Sequence, residues 1–125
     1  MIYISFEQVI ELHDVMIDEF GGLSGIREKG LLESALAAPM MVVFGEERHK
    51  SVYNKAAAYL FYIARNHPFL DGNKRTASAT ALMFLRSNGE VPRYDVDKFL
   101  EFVVSVAEGT KDLKEISHYF EKICS

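Results

Sequence analysis

Residues Ala77 to Leu85 read Ala-Ser-Ala-Thr-Ala-Leu-Met-Phe-Leu, apolar or small on every side. A helix of that composition has no face to offer water, so the rest of the chain must enclose it. Its alanines, serine and threonine let neighbouring elements approach closely. The segments available to enclose it are amphipathic at the helical period. Phe6, Val9, Ile10, His13, Met16, Ile17 and Phe20 form one such face, with His13 on or beside it as a packed core histidine. Val52, Ala56, Tyr59, Leu60 and Ile63 form a second, and Val96, Phe99, Leu100, Val103, Val104 and Ala107 a third. Leu113, Ile116, Phe120 and Ile123 form a fourth, and a short helix from Leu31 to Ala38 turns Leu32, Ala35 and Leu36 to one side. Strand signals are confined to Ile2-Tyr3-Ile4 and the surroundings of Val42. The expected class is all-α, a central buried helix wrapped by amphipathic ones.

The boundaries are written in caps and breakers. Ser5 with Gln8 has capping-box spacing, and Gly21-Gly22 ends the first helix. A helix runs from Ser51 to Asn66, Asn88-Gly89 closes the central helix, Asp95 caps the next and Gly109 stops it. Thr110 is expected to open the last helix. The glycine-rich stretch from Gly21 to Gly30 fits neither a P-loop nor a dinucleotide spacing, so it reads first as turn chemistry and second as a substrate-facing loop. Met40 to Glu47 reads as a short strand or an apolar flap, a partner contact if exposed and plain core if tucked in.

At 125 residues the chain is expected to be one domain, residues 1–125, large enough for one real core. A net charge of −4 argues against a general nucleic-acid binder. The lone cysteine, Cys124, cannot form an internal disulfide, which points to a reducing, cytoplasmic compartment. No run approaches a membrane span, and the N-terminus lacks signal-peptide character. No internal repeat or low-complexity segment is present.

Chemistry concentrates just before the central helix, in His67-Pro68-Phe69-Leu70-Asp71-Gly72-Asn73-Lys74-Arg75-Thr76. His67 can act as a base near neutral pH, since the unperturbed imidazole has a pKa of about 6.5. Asp71 is a hard oxygen ligand suited to Mg2+. Gly72 allows close backbone approach, and Asn73 can orient an oxygen. Lys74 and Arg75 put two cations at a helix start, where the dipole favours anions. That placement makes sense if an anion sits between them, and a nucleotide phosphate is the natural candidate. The bland alternative is a helix start capped by Asp71 or Asn73, with the cations merely solvated. It accounts for either residue alone better than for the whole set.

The run His-Pro-Phe-Leu-Asp-Gly-Asn-Lys-Arg resembles the signature of the Fic/Doc family, closest to its Doc (death-on-curing) branch, with the pattern His-x-Phe-x-Asp/Asn-Ala/Gly-Asn-Lys-Arg. Leu12-His13-Asp14, Gly21-Gly22-Leu23, Leu32-Glu33-Ser34-Ala35-Leu36 and Arg86-Ser87-Asn88-Gly89 look like Doc-type sequence too, so the likeness covers nearly the whole chain. It implies a Fic/Doc fold and a toxin of a toxin–antitoxin pair. His67 would be the general base toward a protein hydroxyl, and Phe69 would anchor the loop. Asp71 would bind Mg2+, while Gly72, Asn73, Lys74, Arg75 and the loop N–H groups would hold the phosphates of ATP. Read from its position alone, Arg65 just before the motif either reaches phosphate or target or is a solvated helix-end cation favoured by the dipole.

Most Fic proteins carry Gly-Asn-Gly-Arg with a further arginine and transfer AMP. Here Lys74 replaces the second glycine and Ser78 occupies the further arginine's place. Both departures match Doc proteins, in which ATP is thought to lie reversed so that the γ-phosphate is transferred. The resemblance therefore favours a protein kinase acting on a threonine of elongation factor Tu and arresting translation. An AMP or other NMP transferase on the same fold, and a non-catalytic binding module, remain the alternatives. The nearest match to an inhibitory Fic segment, Ser105-Val106-Ala107-Glu108-Gly109, is one residue short. Inhibition is expected from a separate antitoxin, as the Doc resemblance implies; the first helix and Met40 to Phe44 are candidates for its groove, with plain core as the alternative for both.

Overall fold

The run without a polar face becomes the heart of α4 (Asn73–Ser87), where Thr76, Ala77, Thr80, Ala81, Phe84 and Leu85 are fully buried. Two of its hydroxyls are tolerated there because they bond back along the helix: Ser78 donates to the Lys74 carbonyl at 2.8 Å and Thr80 to that of Thr76 at 2.7 Å, while the Thr76 hydroxyl has no partner. The structure is a computed structural model and describes all residues, 1–125. The preceding helix, α3 (Val52–Asn66), is as central as α4 and packs against it. Around this pair lie α1 (Phe6–Phe20), α2 (Lys29–Ala37), α5 (Val96–Ala107) and α6 (Leu113–Ile123). A 3-10 turn, Ala38–Met40, carries Pro39 out of α2. The two most buried helices are joined by residues 67–72 alone, so the motif loop is tied to the core at both ends.

The caps behave as their chemistry dictates. Ser5 and Gln8 form a reciprocal capping box on α1, and Ser51 and Asp95 cap α3 and α5. Thr110 does not open the last helix. Its hydroxyl donates to the Ser105 carbonyl at 2.9 Å and closes α5, while Asp112 with Glu115 forms the capping box of α6. A carboxylate at the N-cap with a glutamate three residues on outcompetes a lone threonine two residues earlier.

Ile2-Tyr3-Ile4 makes no strand. Its extended backbone is satisfied by side chains instead: Ile2 exchanges two bonds with the Asn88 amide, at 2.7 and 2.8 Å, and the Ile4 N–H donates to the Tyr59 hydroxyl at 3.0 Å. The only sheet is a minimal hairpin of β1 (Val42–Val43) and β2 (Glu46–Glu47), with Val42 opposite Glu47 and Val43 opposite Glu46. Met40 to Phe44 is exposed, a flap and not core, with Phe44 at its tip at φ 51°. Periodicity gave no hint of Lys55, a fully buried cation on α3. Its Nζ donates to the Pro39 carbonyl and to Glu47, each at 3.2 Å. This ties the root of the flap to the core.

Tyr59 is the largest fully buried side chain, and burial pushes its phenol up to about 12. Replacing Tyr59 with Phe strands the Ile4 N–H inside the protein. The expected loss is about 1–3 kcal/mol of unfolding free energy, read by urea denaturation as a lower midpoint at unchanged m.

Candidate active site

The loop between α3 and α4 is shaped from inside by two residues. Asn73 pairs with both backbone groups of Phe69, accepting from its N–H at 2.9 Å and donating to its carbonyl at 3.0 Å. This spends the Asn73 side chain, which lies buried. The phenyl ring of Phe69 is 1 % exposed and stacks on the His13 imidazole, with centroids 3.8 Å apart and planes 7° off parallel. His13 Nε2 lies 2.8 Å from the Asp71 carbonyl, which can only accept, so Nε2 carries the hydrogen. The two ends of a trans peptide point in opposite directions. Turning the Asp71 carbonyl toward His13 therefore turns the Gly72 N–H away from it.

The glycine-rich segment supports the loop from outside. The N–H groups of Arg27 and Glu28 both donate to the Pro68 carbonyl, at 2.7 and 3.0 Å, and the Leu70 N–H donates to the Gly25 carbonyl at 3.1 Å. The Leu23 N–H donates to Asp71 Oδ2 at 2.8 Å. Gly22 sits at φ 114° against Asp71, where a Cβ would come within 3.2 Å of the aspartate's own Cβ. Gly21, Gly22 and Gly25 all have positive φ, which fits their reading as turn chemistry, and Gly22 also permits close approach to Asp71.

At the start of α4 the N-cap is Gly72, left-handed at φ 73° and without a side chain to cap anything. Neither Asp71 nor Asn73 takes that role. The first bond into the helix is from the Thr76 N–H to the Gly72 carbonyl at 2.9 Å, and the N–H groups of residues 72–75 have no protein acceptor. Unpaired donors at the positive end of a helix dipole are an anion site by construction. They border a cavity of about 200 Å³ walled by Met16, Phe20, Gly21 and residues 71–75. Lys74 and Arg75 are exposed, and neither is in a salt bridge. The Arg75 guanidinium lies over the Phe20 ring, with Cζ 3.7 Å from its centroid.

Five of the residues singled out from the sequence, Asp71, Gly72, Asn73, Lys74 and Arg75, therefore line one cavity. Asn73 offers it a backbone N–H and not its amide. His67 stands at the other end of the loop, exposed, as the C-cap of α3. Arg65 does not join them: its guanidinium lies over Phe61, 5.5 Å from the ring centroid, and against Gly109. The near-inhibitory stretch around Ser105 ends beside Arg65 at that same α5 terminus. His13 and Arg27 carry loop-holding roles that no local pattern announced.

No group of three His, Cys, Asp or Glu side chains is arranged to hold a metal. Asp71 nevertheless suits one class of ion. One carboxylate oxygen is fixed by Leu23 and the other makes no hydrogen bond. Mg2+ is commonly held by one or two carboxylates completed by substrate phosphates and water.

The Fic/DOC family pattern matches residues 3–85, from the extended N-terminal segment through most of α4. Toxin Doc of Mycolicibacterium smegmatis is 42% identical over 100 residues, covering 78% of this chain and 77% of that protein. Protein kinase doc of Escherichia phage P1 is 35% identical over 123 residues, covering 98% of this chain and 96% of that protein. The histidine loop, the uncapped helix start and the all-helical frame thus come with likeness along the whole chain, which belongs to the Fic/Doc family, on its Doc (death-on-curing) branch.

Proposed function

We propose that the chain is a toxin acting as a Mg·ATP-dependent protein kinase. The observation that carries this is the uncapped start of α4: four N–H donors without acceptors, two unpaired cations and one half-free carboxylate around a single cavity. That set suits the phosphates of ATP. The N–H groups of residues 72–75, with Lys74 and Arg75, bind phosphate oxygens and hold the charge that spreads over them during transfer. Asp71 holds Mg2+, which supplies charge neutralisation when bound.

His67 takes the proton from the hydroxyl of a target side chain as that oxygen attacks the γ-phosphorus. The bond to the bridging oxygen breaks, ADP leaves, and the proton stays on the imidazole until solvent removes it. Kinase is favoured over AMP transfer by Lys74, whose side chain occupies a place where a bare glycine would admit the other orientation of the triphosphate. Likeness to a protein named Protein kinase doc over nearly the full chain points the same way. By family resemblance the target is a threonine of elongation factor Tu, the consequence arrested translation, and the restraint a cognate antitoxin. No helix is long and apolar enough to cross a membrane, and the expected setting is the cytoplasm.

Incubation with a bacterial extract should transfer γ-labelled but not α-labelled phosphate from ATP to protein. Transfer of the α-label would replace the kinase reading with nucleotidyl transfer. His67→Ala should lower the rate about 10²–10⁴-fold while leaving ATP binding in place. Chelating Mg2+ should abolish transfer, and restoring it should recover the rate. Lys74→Gly should lower γ-transfer at least tenfold, because it removes a phosphate-binding cation and frees the cradle for the other orientation. γ-Transfer unaffected by that change would show that Lys74 does not select the transferred group.

A further inference from the structure

We infer that Arg27 is a positioning residue that holds His67 in its left-handed conformation; this rests on reading His67 as the base. His67 lies at φ 49°, ψ 59°, and only Phe44 among the other non-glycine residues has a positive φ. A side chain is disfavoured there unless its surroundings hold it. A left-handed helix end is ordinarily closed by main-chain bonds from the two following residues back to the last turn. Here neither bond forms. The His67 N–H has no acceptor, and Pro68 has no N–H to give.

Arg27 holds the turn by a different route, through two carbonyls at the helix end. Its Nε donates to the His67 carbonyl at 2.8 Å and its Nη2 to the Asn66 carbonyl at 2.9 Å. The two donors belong to one rigid guanidinium edge, so they fix two successive peptide planes together. The charge also sits at the negative end of α3. Arg27 is in no salt bridge, so no protein carboxylate competes for it. With both carbonyls fixed, the direction of the His67 Cα–Cβ bond is fixed, and with it the arc that the imidazole can reach.

The anion cradle is held by other groups, namely Asn73 on Phe69 and His13 on Asp71. Placement of the base and binding of the phosphate therefore answer to different residues. The surrounding segment does not need the guanidinium to stay docked, because its backbone is bonded to Pro68 and Leu70 independently. Arg27→Ala thus removes the clamp and leaves the bridge.

The test uses the full chain, with Arg27→Ala and Arg27→Lys measured beside the parent. Arg27→Ala should lower kcat for γ-phosphate transfer about 10- to 100-fold, as expected for a displaced catalytic group. The KM for Mg·ATP should stay within twofold. Arg27→Lys, which keeps the charge but not the fork, should fall between the two. An unchanged kcat, or a KM that rises as kcat falls, overturns the assignment. A second readout needs no activity: the three-bond HN–Hα coupling and backbone shifts of His67, recorded by NMR without ligand. They should report departure from positive φ in Arg27→Ala. Unaltered values overturn the inference even if the parent proves to be an active kinase. A parent that transfers no phosphate defeats the functional reading, while the coupling still decides what Arg27 does.

Discussion

The double hydrogen bond between the Asn73 side chain and the Phe69 backbone is the constraint on which the site depends. Six connecting residues leave little slack between the two most buried helices, and this pair sets the shape that they take. Phe69 is drawn inward until it stacks on His13, and the chain turns sharply enough at Gly72 to begin α4 without a capping side chain. A side-chain cap would have satisfied one of the leading N–H groups and weakened the site for an anion. The loop spends the Asn73 side chain on its own shape and leaves the main-chain donors of residues 72–75 free.

Support from outside follows the same division. The glycine-rich segment lies along the loop as a backbone splint, closest at Gly22, where a Cβ would crowd Asp71. Leu23 holds one oxygen of Asp71 and leaves the other available, so the carboxylate is oriented without being used up. Arg75 rests on the Phe20 ring, which limits its motion while its N–H groups stay able to donate. The cations are thus placed without being neutralised by protein carboxylates, as the proposed phosphate site requires.

Much of this was legible from local pattern. Helix faces, their caps and the enclosed α4 follow from periodicity and from the preferences of Ser5, Ser51 and Asp95, all relations spanning a few residues. The composition of the loop was equally legible, as was the run of Asp71 to Arg75 that shares a cavity. The failures are of two kinds, local contests and distant partners. Thr110 lost the start of α6 to a better capping pair two residues on. Ile2 to Ile4 found side chains, not a strand, as partners. Arg65 turned to Phe61 because the α5–α6 turn lies there, and Lys55 is buried because Pro39 and Glu47 meet it.

What the sequence alone determined is an all-helical chain with a charged loop feeding a helix that must be buried, because apolar period and capping chemistry act over three or four residues. What tertiary structure decided is which polar groups in that loop are spent and which are left open. Arg27 meets His67 across 40 residues, Leu23 meets Asp71 across 48, and His13 meets Asp71 across 58. Such pairings depend on how helices stack, and stacking is set by the fit of whole faces, which no local window contains.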